Sequence, residues 1–247
     1  MKTLVLLAGM TPDVTALYYS MINNHIRKQL GARHSARIYI YSVDLESQLK
    51  RIENQEWTAF AKEYTDALYP LVQSSAPLSS NMGVLLGAII AHKVSNTISS
   101  HLPPNIPFLD VTDYLAAEIM ARGVRKVGLF GPKATMVDDS PDFFRGKLQS
   151  THGIDVIIPE TQAEIDEINR GMFEELVKGK DAVRPETKQM FLSAANRLIE
   201  RGAQGLILGS TDLGFVIDQR AFEERDVLVF DAAKIHAIGV AEWALKD

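Results

Sequence analysis

Gly205-Leu206-Ile207-Leu208-Gly209-Ser210-Thr211-Asp212 is a short apolar run that stops at a glycine, two hydroxyls and a carboxylate. Such a run reads as a buried strand that delivers polar groups at its tip. In open α/β sheets ligands sit beyond the carboxyl ends of the strands, so this tip is the first place to look for chemistry. A second stretch, Gly83-Val84-Leu85-Leu86-Gly87-Ala88, has the same shape and carries nothing reactive at its end.

Working outward, the same unit recurs. Thr3 to Leu7 reads as a buried strand, and Gly9-Met10-Thr11-Pro12 as a turn with a capping hydroxyl and a helix-entry proline. Val14, Leu17, Tyr18, Met21, Ile22 and Ile26 give the following helix one apolar face, ending near Gly31. A second strand is expected from Ala36 to Tyr41, and a long helix carries Trp57, Phe60, Ala61, Tyr64, Leu68 and Val72. Ser74 to Asn81 is a serine-rich loop. Gly83–Leu86 is then the third strand, a helix begins near His92, and Ile106 to Asp110 is the fourth strand. The round restarts at Lys126-Val127-Gly128-Leu129-Phe130-Gly131, followed by a helix start at Lys133-Ala134-Thr135-Met136. Further strands are expected at Ile154–Ile158, at the opening stretch and at Val227–Asp231. Helices are expected around Met190–Ile199 and from Ile235 onward.

Gly9 matches Gly131, Gly87 matches Ser210 and Asp110 matches Asp231, each pair about 122 residues apart. We read this as an internal duplication. The expected fold is α/β with two pseudo-symmetric lobes, each a parallel sheet flanked by helices, and a ligand cleft between them. The expected boundaries are 1–109 plus 232–247 for the first lobe and 110–231 for the second.

Composition narrows the function. With 247 residues and 46% hydrophobic side chains, there is material for a substantial core. A net charge of −5 with both signs interspersed provides no basic footprint for nucleic acid, and no apolar run reaches the length of a membrane span. The first residues lack a signal-peptide pattern, and a cytoplasmic protein is expected. There is no cysteine, which removes disulfides, zinc-thiolate sites and thiol catalysis together. No metal site is expected.

The order and spacing of Leu7-Ala8-Gly9-Met10-Thr11, Tyr41-Ser42-Val43-Asp44, Ala91-His92-Lys93, Val127 to Met136, Gly205 to Asp212 and Phe230-Asp231 with Ile235-His236-Ala237 resemble the cofactor-independent aspartate/glutamate racemase superfamily. Within it, they are most similar to the broad-specificity amino-acid racemases. The resemblance covers nearly the whole chain. It implies an enzyme that works without pyridoxal phosphate or any other cofactor. It also implies inversion of a carbon next to a carboxylate by two cysteines, one on each face of the substrate. The family often forms dimers, so the resemblance allows a homodimer.

This sequence departs from that pattern at both catalytic positions. The family segment resembling Cys-Thr-Asn-Thr-Met-His-Lys reads Gly87-Ala88-Ile89-Ile90-Ala91-His92-Lys93, and Gly-Cys-Thr-Glu reads Gly209-Ser210-Thr211-Asp212. A serine hydroxyl without an activating base stays protonated near neutrality, and Gly87 has no side chain. One branch, the arylmalonate decarboxylases, has glycine at the first position but keeps one cysteine at the second.

The residues expected to carry chemistry are therefore Ser210, Asp212 and His92. Thr11, Gly87, Ala88, Ile89, Thr135, Thr211 and His236 are expected to contact the ligand. Each has a plainer structural reading: hydroxyls and Asp212 as helix caps, the histidines as packed or hydrogen-bonded core groups. Lys93 and Lys133 are further candidates for neutralising an anion, or are simply solvated. Ala88 and Ile89 make the first tip apolar, which favours a larger hydrophobic ligand bearing a carbonyl or carboxylate over a small zwitterion. Three readings stay open: a repurposed isomerase or lyase acting on an apolar carbon acid by isomerisation, decarboxylation or cyclisation, a binding protein or pseudoenzyme without catalysis, and a racemase using non-thiol acid and base groups.

Overall fold

The structure, a computed structural model, describes residues 1–31, 33–72, 81–217, 222 and 227–246. The chain divides into two compact units, Met1–Val111 with His236–Asp247, and Thr112–Ile235. Each is built around its own parallel sheet with flanking helices.

In the first unit the strands are β1 (Thr3–Ala8), β2 (Arg37–Ser42) and β3 (Met82–Leu86), ordered β2-β1-β3 and all parallel. Every residue of β1 is buried, as a central strand covered on both faces requires. Alternation sends Val5 and Leu7 into a core with Phe60, Tyr64 and Leu68 of the long helix Trp57–Val72. Leu4 and Leu6 stand on the opposite face. The helix α1 (Pro12–Leu30) buries Val14, Tyr18, Ile22 and Ile26, none of which belongs to that core. This fits two right-handed crossovers running in opposite directions, which place their helices on opposite faces. The sharp turn between β1 and α1 uses Gly9 at φ +103, where a Cβ would lie 2.4 Å from the Val43 backbone nitrogen.

The helix Trp57–Val72, here α3, has the limits its apolar stripe marks. It is preceded by a helix that the stripe does not announce, α2 (Leu45–Glu53), capped by the Asp44 carboxylate on the Ser47 N–H. The expected fourth strand reduces to a single bridge, Val84 with Phe108. Pro107 has no N–H to give to a ladder, and the Val84 N–H and carbonyl are taken by Pro107 and Leu109. The helix expected near His92 is a 3-10 segment, Ile90–Val94, continued by α4 (Ser95–Ser100). The serine-rich loop lies outside the described residues except for Asn81.

The second unit orders its strands β5-β4-β6-β7, again all parallel: β4 (Lys126–Phe130), β5 (Asp155–Ile157), β6 (Gly205–Leu208) and β7 (Leu228–Asp231). This repeats the first unit's order, with β7 in the place of the Phe108 bridge. The helices are α5 (Val111–Ala121), α6 (Lys133–Val137), α7 (Phe144–Ser150), α8 (Gln162–Arg170) and α9 (Pro185–Glu200). α10 (Ala232–Leu245) begins in this unit and ends in the first.

One wide turn, Gly171–Glu175, follows α8 in π geometry. It is held by the Glu175 carboxylate, which accepts from Arg170, from the Arg184 backbone and side chain, and from the Thr187 hydroxyl at 2.6–3.1 Å. Those donors, Arg184 first, favour the charged carboxylate and hold its pKa down at about 2.

Candidate functional site

In the first unit, the candidate residues gather at the ends of β1 and β3. Thr11 is buried at the entry to α1, and its carbonyl accepts from the Thr15 hydroxyl at 3.0 Å while that hydroxyl accepts the Gly9 N–H at 3.0 Å. Gly87 continues β3 by one further bond, its N–H donating to the Leu7 carbonyl at 2.8 Å. A Cβ on Gly87 would meet the Leu6 Cδ1 at 3.1 Å and the Ala8 Cβ at 3.3 Å, tight but on side-chain atoms. Ala88 and Ile89 are buried, so this tip is apolar, as their residue types require.

Behind the tip stand the two histidines, both buried. The Nδ1–H of His92 donates to the Ala88 carbonyl at 3.0 Å, and its Nε2 accepts from the Val111 N–H at 3.4 Å. The Nε2–H of His236 donates to the Leu109 carbonyl at 2.8 Å, and its Nδ1 accepts from the Tyr18 hydroxyl at 3.1 Å. Because a carbonyl can only accept, Nδ1 of His92 and Nε2 of His236 each carry a hydrogen. Burial, reinforced by the neighbouring His92, pushes the His236 imidazole down to about 3. The rings lie edge to face with centroids 5.9 Å apart. Together they tie the Gly87 tip, the Leu109–Val111 segment, α1 and α10 into one hydrogen-bonded unit. Lys93 stands over the Trp57 ring, 5.0 Å from its centroid.

In the second unit, the ends of β4 and β6 approach through two glycines. A Cβ on Gly131 would lie 2.8 Å from the Gly209 carbonyl oxygen, so only glycine permits this contact. The Thr135 methyl packs 3.5 Å from a Cβ built on Gly209. Its hydroxyl is buried and has no hydrogen-bond partner among the described residues. Ser210 and Thr211 are buried just beyond, and the Ser210 hydroxyl accepts the Asp212 N–H at 3.4 Å. A 3-10 turn, Leu213–Phe215, follows. Thr135, Ser210, Thr211 and Asp212 therefore share one strand-tip region, while Thr11, Gly87, Ala88, Ile89, His92 and His236 belong to the other unit.

Three groups near the second tip escape a reading of the sequence. Asn169 Oδ1 accepts the Lys133 N–H at 2.9 Å and so caps α6 from 36 residues away. Lys133 Nζ pairs with Asp166 at 2.7 Å. Asp231, at the end of β7, accepts the Lys234 N–H at 3.0 Å, and its other carboxylate oxygen would lie 2.6 Å from a Cβ on Gly214. Burial pushes this carboxyl above the ordinary range. Its pairing as Asp110's counterpart in the duplicated sequence was the one available signal. Among the described residues, no three His, Asp or Glu side chains group as a metal site would require, and no helix is long and apolar enough to cross a membrane.

Residues 7–238 match the Asp/Glu/Hydantoin racemase family. The chain is a member of the Asp/Glu/hydantoin racemase family. Over the full length of both chains, this racemase-family protein is 31% identical, with a TM-score of 0.86, to a Yersinia pestis protein provisionally assigned as an Asp/Glu racemase. It is 30% identical, with a TM-score of 0.76 and full coverage of both chains, to an aspartate racemase homologue from Pyrococcus horikoshii OT3. The fold extends to the Picrophilus torridus aspartate racemase, at 16% identity and a TM-score of 0.72 over 100% of this chain and 96% of that one. The family is one of isomerase-type enzymes, and the two parallel sheets flanked by helices are the family's α/β architecture.

Proposed function

We propose that this racemase-family protein has lost two-cysteine amino-acid racemisation and acts on a more apolar carbon acid bearing a carbonyl or carboxylate. The reaction class is isomerisation, decarboxylation or cyclisation, by one proton-carrying group or by holding a reactive conformer. No cofactor is invoked. Ser210 and Asp212 are the groups assigned to chemistry, with Thr135 and Thr211 holding the ligand's polar end.

The observation that carries this reading is the Thr135 hydroxyl. It is wholly buried and has no partner among the described residues, and the methyl of the same side chain packs beside Gly209, directly before the serine that stands at the family's thiol position. Leaving such a group unsatisfied costs about 1–3 kcal/mol. A ligand oxygen or amide that reached it would remove that cost on binding. The chain has no thiol with which to run the family's two-base exchange.

The test is incubation of the purified protein in D₂O with a panel of amino acids and with metabolite extract, followed by mass spectrometry. Conversion of an apolar acid to an isomer or to its decarboxylated product, carrying one solvent deuterium at the reacting carbon where a proton is delivered there, is the expected result. Deuterium entering the α-position of an amino acid would instead establish racemisation by non-thiol groups and overturn the proposal.

A binding protein without turnover is the second reading, and the engaged histidines favour it. All four ring nitrogens of His92 and His236 are spent on internal hydrogen bonds, so neither ring stands ready as a base. Retention of one compound with no conversion would select this reading.

A further inference from the structure

The pairing of β3 with β1 continues one step past Leu86. Leu7 is in register with Leu86, the Gly87 N–H donates to the Leu7 carbonyl at 2.8 Å, and Gly87 thereby stands beside Ala8. Alternation puts Leu6, Ala8 and Gly87 on one face of the sheet, opposite to Val5 and Leu7. Side chains that neighbour each other across parallel strands start about one strand spacing apart, roughly 4.8 Å. A Cβ on Gly87 would lie only 3.3 Å from the Ala8 Cβ and 3.1 Å from the Leu6 Cδ1. The end of β3 is therefore drawn onto β1 to a separation that suits a residue without a side chain. Gly87 is not one of the glycines with positive φ, so crowding rather than backbone conformation is what favours glycine here.

The two crowding atoms differ in kind. Leu6 Cδ1 is the far end of a flexible side chain and turns aside at small cost. The Ala8 Cβ is fixed to the backbone of the central strand, which is held on one side by the Gly87 bond to Leu7 and on the other by the Val43 N–H on the Ala8 carbonyl at 3.1 Å. Ala8 is also buried, with no room to retreat. We propose that Ala8 is a specificity-determining residue, whose methyl keeps position 87 closed to any side chain and so bars side-chain acid and base chemistry from the first tip. The inference rests on the reading that chemistry has passed to the Ser210 tip, and it supplies the structural reason. The position where the resemblance places the first thiol is not merely lacking its sulfur, because a neighbouring methyl takes up the space. Restoring that thiol therefore requires a change at Ala8 as well.

Two measurements test this on the full chain. Gly87→Ala adds the Cβ alone and is expected to lower the thermal midpoint by about 2–4 °C. In an Ala8→Gly background the same change is expected to leave the midpoint unchanged or raise it, since it then only removes freedom from the unfolded chain. For the chemistry, Gly87→Cys and Ser210→Cys are combined, with and without Ala8→Gly, and incubated under reducing conditions in D₂O with a panel of amino acids. The chain has no other cysteine, so any thiol chemistry belongs to these two positions. Loss of the α-proton signal is expected to be about tenfold faster or more with Ala8→Gly, because a misplaced thiol loses its alignment with the reacting carbon. A Gly87→Cys protein that folds only when Ala8→Gly is present supports the proposal equally. An equal effect of Gly87→Ala in both backgrounds, exchange at the same rate with and without Ala8→Gly, or no exchange in either protein would each overturn it. Conversion of an apolar acid is measured on the wild type, so the proposed function and the role of Ala8 fail separately.

Discussion

The Tyr18 hydroxyl donates to Nδ1 of His236 across 3.1 Å, joining α1 to α10 within the first unit. Burial disfavours the charged imidazole and holds His236 down at about 3, and in the neutral ring Nδ1 is the acceptor of this bond. The unfolded chain protonates a histidine near 6.5. Between those values the unfolded state binds a proton that the folded state refuses, so stability is fully present above pH 6.5 and falls as the pH drops toward 3. The slope from this one residue is at most ~1.4 kcal/mol per pH unit. Urea unfolding at pH 7.5 and 5.0 should show the loss, and His236→Gln should flatten it. Tyr18→Phe should cost about 1 kcal/mol at pH 7.5, by removing a buried hydrogen bond.

Thr135→Val separates ligand binding from folding. The hydroxyl has no partner among the described residues, so its replacement by a methyl should leave stability unchanged or raise it by about 1 kcal/mol. The same change should weaken retention of any compound that the wild type holds. A clear loss of stability in thermal unfolding would show that the hydroxyl is satisfied within the protein.

Gly131→Ala tests the contact between the tips of β4 and β6. The new Cβ would press on the Gly209 carbonyl, which is backbone and cannot turn away, and a cost of about 1–3 kcal/mol is expected. Gly209→Ala meets the Leu129 Cδ1 at 2.6 Å, a side-chain atom, and should cost less. Equilibrium denaturation of the pair ranks them, and the reverse order would contradict the geometry.

Glu175→Gln removes the charge that gathers Arg170, Arg184 and Thr187 around the wide turn after α8. Arg184 is largely exposed and keeps its hydration when the partner is lost, which moderates the cost to about 2 kcal/mol at neutral pH. The Glu175 contribution is present above about 4.5 and disappears as the pH falls through about 2. The variant should therefore lose less stability than the wild type over that acid range.

The parts of the fold legible in the sequence are those where burial and punctuation coincide. Gly205 and Gly209 bracket an unbroken apolar run, and β6 covers Gly205–Leu208. The stripe from Trp57 to Val72 spans α3 from end to end. By contrast, α2 and α8 lie on the surface with few buried residues, Gln48 in one and Ile165 and Ile168 in the other. Each is only nine residues long, so an apolar face such as Leu45, Leu49 and Ile52 in α2 spans too few turns to stand out. Ser210 to Asp212 could be found as a strand tip because the change from apolar to polar is local. The unsatisfied Thr135 hydroxyl and the Asn169 cap could not, since both depend on which distant segment folds alongside.

The first unit is assembled from two stretches of chain, Met1–Val111 and His236–Asp247, with the whole of the second between them. Gly83 of β3 is closed by the Trp243 ring, which would stand 2.7 Å from a Cβ there, and Tyr18 has its partner in His236. During synthesis on the ribosome, the first unit therefore waits with an open seam until α10 emerges, while the second already has its full sequence. Completion of the earlier-made sheet is the later event. A chain released before residue 236 would carry one finished unit and one that lacks its closing helix.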